Sequence, residues 1–321
     1  MIQRDLITDF LLKSEDHLII DVRSPLEYEK GHVPGAKNIA LFTNNERSVV
    51  GTLYKQEGKQ SAILQGLDLV GPKLADYIKL VKSMTDKETV FVYCARGGMR
   101  SGSFGWLLST YGYNVIVLES GYKAYRNFIL EQFDKQLGFI VLSGKTGTGK
   151  TLLLHKYKLE NKQIIDLEAL ACHKGSVFGG IGQEQPTQEQ FENYLGFLIS
   201  QFDASQKVWI EDESRHIGKR MIPTGLWDQM RKAPLQIIEK TKKERATLLM
   251  NEYEYCSNQD LLKAVSCLDK HLGSLRCLQA QELLNQNKRY EFCMMLLNHY
   301  DKAYEFSFAK RQKNNGNGRT I

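Results

Sequence analysis

Val90-Phe-Val-Tyr-Cys-Ala-Arg-Gly-Gly-Met-Arg-Ser101 decides the fold and points to the chemistry. Val90 to Tyr93 are apolar without alternation and are β-branched or aromatic, the signature of a strand buried on both faces. Cys94 follows at once, then a loop carrying Arg96, Gly97, Gly98 and Arg100, then a helical stretch over 101–109. A cysteine at the end of a parallel strand, under a helix N-terminus and beside guanidinium groups, has a lowered pKa. The thiolate is the reactive form, so Cys94 is the expected nucleophile, with Arg96 and Arg100 as its catalytic partners. Gly97 and Gly98 let successive backbone N–H groups turn inward as an anion-binding nest. A free thiol alone is more often plain core; the Arg/Gly loop turns the reading toward catalysis.

Working outward, His17-Leu-Ile-Ile-Asp21-Val-Arg23 reads as a strand with acid and base at its carboxyl end. Ser24-Pro-Leu-Glu-Tyr28 opens a helix, and Gly31, Pro34 and Gly35 punctuate a loop before a short strand over 36–40. Helical period runs over 68–84, and 115–118 forms another strand. Alternating strands and helices predict an α/β domain with a mostly parallel sheet over residues 1–125. Ligands of such sheets sit beyond the carboxyl ends of the strands, where Cys94 falls.

A connecting helix is expected over 126–137, and a second α/β domain over 138–225. Its strand Phe139–Ser143 leads into Gly144-Lys-Thr-Gly-Thr-Gly-Lys-Thr151, a G-x-x-x-x-G-K-[ST] loop in strand–loop–helix context. Gly144, Gly147 and Gly149 let backbone N–H groups cradle phosphates at the helix N-terminus. Lys150 supplies a point charge, and Thr151 can hold Mg2+. Lys207-Val-Trp-Ile-Glu-Asp-Glu213 is the second strand such a site needs, ending in three acids. Glu211 or Asp212 faces the site, with Asp212 taken as the partner of Thr151 on the metal; three consecutive acids do not say which one points inward. Loops after parallel strands gather round a phosphate site, which makes His173, Ser176 and Arg215 supporting candidates. From 226 to 321 the chain reads as helical.

Composition excludes several classes. The 321 residues, 42% hydrophobic and 25% charged, suit two soluble domains, and no apolar run is long enough to span a bilayer. The start Met1-Ile-Gln-Arg-Asp lacks a basic-then-apolar order, so no secretory signal is expected. Six cysteines without metal-ligand spacing read as reduced thiols, which places the protein in the cytoplasm. The net charge of +6 is mild, but from Lys302 onward five basic residues face one acid, and such a tail suits nucleic-acid phosphates as well as a solvated terminus.

Asp21-Val-Arg-Ser-Pro-Leu-Glu-Tyr, Gly31-His-Val-Pro-Gly-Ala-x-Asn-Ile and the strand–Cys–Arg/Gly loop–helix, in that order, resemble the rhodanese family. The resemblance implies sulfur-group transfer through a covalent adduct on Cys94, with Asp21 and Arg23 as scaffold. Many single-domain rhodaneses look like Cys-x-x-Gly-x-Arg, whereas five residues separate Cys94 from Arg100 here. That spacing is similar to the cradle of Cys-x5-Arg phosphatases and suits a phosphorylated chalcogen donor. The loop has no acid for plain phosphatase chemistry.

Gly121-Tyr-Lys-Ala-Tyr-Arg126, Asp166-Leu-Glu-x-Leu-Ala, His173-Lys-Gly-Ser-x-Phe-Gly179, Gln185-Pro and Glu211-Asp-Glu-Ser-Arg215 extend the likeness to the bacterial tRNA 2-selenouridine synthases. What that resemblance implies is replacement of sulfur by selenium in 2-thiouridine at the wobble position of tRNAs for Lys, Glu and Gln. The thio group would first be geranylated from geranyl diphosphate and then displaced by selenium from selenophosphate, with selenium carried on Cys94. No tightly bound cofactor is expected beyond Mg2+; the partners implied are tRNA and a selenophosphate-producing enzyme, with no membrane and a monomer favoured. The P-loop is assigned to geranyl diphosphate, with a nucleoside triphosphate as the rival ligand. Two other readings stand beside this one: a rhodanese-type sulfurtransferase coupled to ATP-dependent tRNA or protein thiolation, and a nucleotide-sensing module without catalysis.

Overall fold

The computed structural model describes residues 2–174, 177–254, 256–267 and 272–315. They fall into two compact units, one ending at Gln132 and the other beginning at Phe133.

In the first unit, β1 (Ile2–Asp5), β2 (Leu18–Asp21), β3 (Lys37–Asn38), β4 (Thr89–Tyr93) and β5 (Asn114–Leu118) form a parallel sheet in the order β1-β5-β4-β2-β3. Its helices are α1 (Ile7–Lys13), α2 (Pro25–Lys30), α3 (Asn44–Gln56), α4 (Lys59–Val70), α5 (Leu74–Met84), α6 (Met99–Tyr111) and α7 (Gly121–Gln132). The central strand β4 is apolar throughout because both faces are covered. Val90 and Val92 pack with Phe104 of α6 and Tyr77 of α5, while Phe91 turns the other way onto Phe10 of α1, ring centroids 5.2 Å apart. Each such side chain contributes roughly 1.5–3 kcal/mol by burial.

The register pairs Asp21 with Tyr93, so the carboxyl ends of β2 and β4 are level. Asp21 is buried there and is met by Arg23, whose Nη2 lies 2.6 Å from Asp21 Oδ2 and 2.6 Å from the Gly31 carbonyl. The Arg23 guanidinium also stacks 3.8 Å from the centroid of the Tyr122 ring. Arg23 therefore ties together the loop after β2, the turn at Gly31 and the start of α7, a scaffolding role.

Two features of this unit differ from the sequence reading. The helical period over 68–84 is broken: α4 ends at Val70, a tight turn covers Gly71–Lys73, and α5 starts at Leu74. Pro72 has no N–H to continue the ladder. The connecting helix, whose pattern spans 120–133, runs over Gly121–Gln132 and packs on α1 and β5 within the first unit, so it is not a separate segment over 126–137.

In the second unit, β6 (Gly138–Ser143), β7 (Gln163–Ile165), β8 (Lys207–Glu211) and β11 (Leu235–Ile237) make a parallel sheet in the order β11-β6-β8-β7. A small antiparallel pair, β9 (His216–Ile217) and β10 (Arg220–Met221), lies between β8 and β11 in the chain. The helices are α8 (Lys150–Leu159), α9 (Leu167–Ala171), α10 (Gln188–Ser200), α11 (Thr224–Lys232), α12 (Lys242–Glu252), α13 (Asn258–Cys267), α14 (Ser274–Asn285) and α15 (Arg289–Asn315). Leu249, Leu261, Leu284, Phe292 and Leu296 of the last four helices close a separate core, plugged by Phe178. The wholly helical region expected from 226 is corrected at Leu235–Ile237, which pairs with β6 as β11. Three residues are too few for periodicity to tell a strand from a helix. Among the described residues no helix is long and apolar enough to cross a membrane.

Removing the buried Asp21 charge leaves Arg23 uncompensated, so Asp21→Asn is expected to cost about 3 kcal/mol. Urea unfolding of the variant measures this; an unchanged midpoint would deny the pair its scaffolding role.

Candidate active sites

Cys94 stands directly after β4 and is 3% exposed. Burial alone pushes its thiol up. The Ser101 hydroxyl 3.2 Å away, the backbone N–H groups of Arg96 and Ser101 and the charge of Arg100 oppose it, and the net direction is down. The N–H groups of the loop thus converge on the sulfur, and α6 begins beside it at Met99. Such a site stabilises a thiolate, or a heavier chalcogenide bound to it.

The loop is held from behind by α7. Tyr122 N–H donates to the Cys94 carbonyl at 2.8 Å, and Lys123 N–H to that of Ala95 at 3.1 Å. Gly121, at φ +58°, makes this approach feasible: a Cβ there would lie 2.2 Å from the Cys94 oxygen. Gly97, at φ +62°, faces the same junction, where a Cβ would lie 2.7 Å from Ser120 N. Its carbonyl accepts from Arg4 at 2.8 Å. Gly97 therefore serves the turn, whereas Gly98 caps α6 with open space at its Cα.

The two expected arginines differ. Arg96 is exposed, and among the described residues no ion pair or hydrogen bond holds its guanidinium. Arg100 is engaged by Glu27 through two hydrogen bonds of 2.7 and 3.2 Å. Glu27 is half-buried, which opposes its charge, yet its bonds to Arg100 bring its carboxyl down to about 2. Arg100 is thus a fixed charge already paired within the protein, leaving Arg96 as the unpaired one. Glu27 and Ser101 were not singled out from the sequence. Ser101 follows Arg100 in the first turn of the helix after the thiol, a position that could have drawn attention. Glu27 has a local signal as the N3 acid of the Ser24 capping box, but its pairing with Arg100 spans 73 residues and has none.

In the second unit the loop Gly144–Thr151 connects β6 to α8. Gly147 and Gly149 have φ of +78° and +81°. A Cβ on Gly144 would lie 2.7 Å from the Ile238 oxygen, and one on Gly147 would lie 2.8 Å from that of Arg245. Lys150 Nζ bends back to the Gly144 carbonyl at 3.3 Å. The last helix braces this loop: Asp301 makes two 2.7 Å hydrogen bonds with buried Arg245, which donates to the Thr146 carbonyl at 3.1 Å. Tyr304 reaches Ser143 at 3.1 Å, and Glu305 reaches Lys145 at 2.7 Å. The pattern reads Arg245 as part of a solvated basic helix face and Tyr304 as core, and the sequence links neither of these, nor Asp301, to a loop so far away; in the structure Arg245 is buried.

The question left by the three acids is answered by geometry. Thr151 Oγ1 donates to Glu211 Oε1 at 2.6 Å, and Asp212 Oδ2 accepts from Ser143 at 2.6 Å. Thr151 is thus met by Glu211 and not by the expected Asp212, because successive residues along a strand point to opposite faces. Glu168, also unsuspected, approaches Thr151 at 3.5 Å. Burial, then the neighbouring carboxylates, raise the carboxyls of Glu168 and Glu211, with Lys150 opposing. Glu211 Oε2 is buried with no hydrogen-bond partner. A carboxylate oxygen so placed, next to a threonine hydroxyl and a phosphate loop, fits a hard divalent cation such as Mg2+. Among the described residues no group of three or more His, Cys, Asp or Glu gathers as an all-protein metal cage.

His173 packs against Gly180 and Gly218, with Nδ1 buried and unbonded; burial lowers its pKa. Arg215 Nη2 donates to Thr224 at 2.8 Å, while its Nε is buried without a partner. Ser176 lies outside the described residues. Gln185 pins the β9–β10 turn, donating to the carbonyls of Ala171 and Ile217 and accepting from Lys219 N–H. Cys94, Cys172, Cys256, Cys277 and Cys293 are free thiols.

A parallel sheet ending in a stabilised thiol loop, joined in one chain to a sheet ending in a P-loop, defines a rhodanese-like domain fused to a P-loop domain. Family models agree: residues 8–128 match the Rhodanese-like domain, and residues 137–317 match the tRNA 2-selenouridine synthase AAA domain. A tRNA 2-selenouridine synthase of Shewanella woodyi is 32% identical over 92% of this chain and 89% of its own length. One of Sulfurovum sp. is 33% identical over 91% and 89%, and one of Shewanella piezotolerans 38% over 74% and 66%. The chain belongs to the tRNA 2-selenouridine synthase family.

Two substitutions test the thiol loop. Ser101→Ala removes a hydrogen bond to the thiolate, so iodoacetamide alkylation of Cys94 should shift to higher pH and slow several-fold at pH 7; an unmoved profile would remove Ser101 from the site. Gly121→Ala should cost about 2 kcal/mol or more in thermal unfolding, since it combines left-handed backbone with a clash against the Cys94 carbonyl.

Proposed function

We propose that this chain replaces sulfur by selenium in 2-thiouridine at the wobble position of tRNA. The route runs through S-geranyl-2-thiouridine made from geranyl diphosphate, followed by displacement with selenium from selenophosphate. The reading is carried by one conjunction: a chain of this family has a stabilised thiolate in one unit and a separate phosphate cradle in the other.

Alkylating the thio group turns a poor leaving group into a better one. Its donor is a diphosphate, which the N–H groups at the start of α8 and Lys150 would hold. Thr151 and Glu211 would hold Mg2+, which neutralises charge on a leaving diphosphate when bound. Arg96 and the N–H groups round Cys94 suit the phosphate of selenophosphate. For Cys94 to carry the selenium, its thiolate would form an S–Se bond as the P–Se bond breaks with its electron pair left on phosphorus as phosphite. The selenium would displace geranyl thiolate from the nucleoside, and an external thiol would reduce the S–Se bond to free Cys94. Arg100, paired with Glu27, keeps the thiol lowered without leaving its place. The substrates by this reading are tRNAs for Lys, Glu and Gln in the cytoplasm, with selenophosphate supplied by a separate enzyme.

The test supplies the purified chain with thiolated tRNA, geranyl diphosphate and selenophosphate, omits each in turn, and analyses the nucleosides by mass. Geranylated nucleoside is expected without selenophosphate and selenouridine with it. Cys94→Ala should fail only at selenium, and Lys150→Ala only at geranylation. If neither product forms but ATP is hydrolysed, a sulfurtransferase coupled to ATP-dependent thiolation replaces this reading.

A further inference from the structure

Beside Cys94 the first unit carries an open groove of about 1590 Å³, bounded on one side by α3 and α4, which the sequence reading passed over. Its deepest part is hydrocarbon: Phe42, Val70, Phe104 and Leu107 form the floor. Leu67 and Trp106 stand in its walls at 62% and 60% exposure, unusual for side chains of that size. The lining also carries cations: Lys55 and Arg96 are exposed, and Arg47 is half-buried 3.8 Å from Glu27, which Arg100 shares.

Glycines keep the space clear. Gly66 lies inside α4 and lines the groove, with Phe42 the nearest contact its Cβ would meet, at 3.4 Å. Gly51 of α3 also lines the groove; a Cβ there would meet only the Arg47 guanidinium, at 2.6 Å, the end of a flexible side chain that can move aside. Glycine inside a helix disfavours the helix by roughly 1 kcal/mol relative to alanine. The groove is therefore held open at a cost in local stability.

A small inorganic donor needs none of this surface. An apolar trough that starts at the nucleophile and carries cations in its lining fits a ligand with three parts. These are a polyanionic backbone on the cations, a reacting centre at Cys94, and a hydrocarbon chain attached close to that centre. We infer that the groove beside Cys94 is the seat of the S-alkyl chain of a modified 2-thiouridine, with the flanking RNA phosphates on Arg47, Lys55 and Arg96. This rests on the function proposed above and adds to it that the thiol-bearing unit itself recognises the chain. The unit would thus select alkylated over unalkylated nucleoside at the selenium step.

The test measures binding of anticodon stem-loop RNAs carrying S-geranyl- or S-methyl-2-thiouridine to the full chain, with Cys94→Ala present to prevent turnover. The S-geranyl form is expected to bind at least about tenfold tighter, since a long chain buries many more methylenes than a methyl group. Gly66→Leu, which fills the groove, and the pair Leu67→Gln with Trp106→Gln, at exposed positions, should each bring that ratio to about twofold or less. Lys150→Ala should leave it intact. A ratio unchanged by the groove substitutions but lost in Lys150→Ala would place the chain on the P-loop unit, overturning the inference and leaving the function standing. A ratio unchanged while the groove variants alter the oligomeric state would make the groove a self-association face and likewise overturn it. Equal binding of both RNAs, together with no conversion of the S-geranyl RNA by wild type, would overturn both inference and function.

Discussion

No side chain fits between the loop after Cys94 and the helix that starts at Gly121. The backbones meet there directly, through N–H groups of Tyr122 and Lys123 on the carbonyls of Cys94 and Ala95. The Arg96 N–H that helps lower the Cys94 thiol lies on the loop this junction holds, while Arg100 is placed by Glu27. With those carbonyls fixed from behind, the peptides of Arg96 to Ser101 have their N–H groups free to face the sulfur. The second unit uses the same device. Gly147 approaches the backbone of Arg245, and Arg245, locked to Asp301, returns a hydrogen bond to the Thr146 carbonyl. In each unit an anion-facing loop is held rigid by a later helix that touches only its outer side. Rigidity of this kind is what lets backbone dipoles act on an anion without reorganising.

The electrostatics of the two loops run in opposite directions. Around Cys94 the groups are donors and cations, and the one nearby acid, Glu27, is spent on Arg100. A bidentate charge-assisted pair of this kind is worth more than a neutral hydrogen bond, roughly 1.5–3 kcal/mol. It also holds Arg100 at a fixed distance from the sulfur. At the P-loop, burial and neighbouring carboxylates raise the carboxyls of Glu168, Glu211 and Glu213, with Lys150 opposing in each case. Among these carboxyls Glu211 Oε2 is buried without a hydrogen-bond partner, a placement that suits a divalent cation.

What could be read from the sequence was what lies contiguous in it. The strand–Cys–Arg/Gly loop and the P-loop each occupy about a dozen residues, and both fold as read because strand, turn and helix signals fall in immediate succession. The parallel sheets followed from the alternation of apolar runs with helical period. The hidden parts depend on long-range pairing. Glu27 meets Arg100 across 73 residues, and Asp301 meets Arg245 across 56. The choice among Glu211, Asp212 and Glu213 hangs on strand parity, which three consecutive acids do not reveal. β11 is too short to carry a period, and it is placed by pairing with β6. The α3–α4 wall was missed for a different reason: its apolar positions face an open groove, so its pattern lacks the stripe of a core-packed helix.

The opposed electrostatics explain why one chain carries two sheets. A thiolate set among Glu168, Glu211 and Glu213 would be disfavoured by burial and by like charge together, and the thiol would stay protonated. A metal-dependent phosphate loop set among Arg96, Arg100 and the donors round Cys94 would lose its cation to repulsion and bind a bare anion. Neither site can be tuned without undoing the other if they share one strand end. Each therefore ends a separate parallel sheet and is braced by helices of its own unit: α7 behind the thiol, and α12 with α15 behind the phosphate loop. Fusion of two α/β units is the arrangement that lets a lowered thiol and an acid-flanked P-loop coexist in one polypeptide.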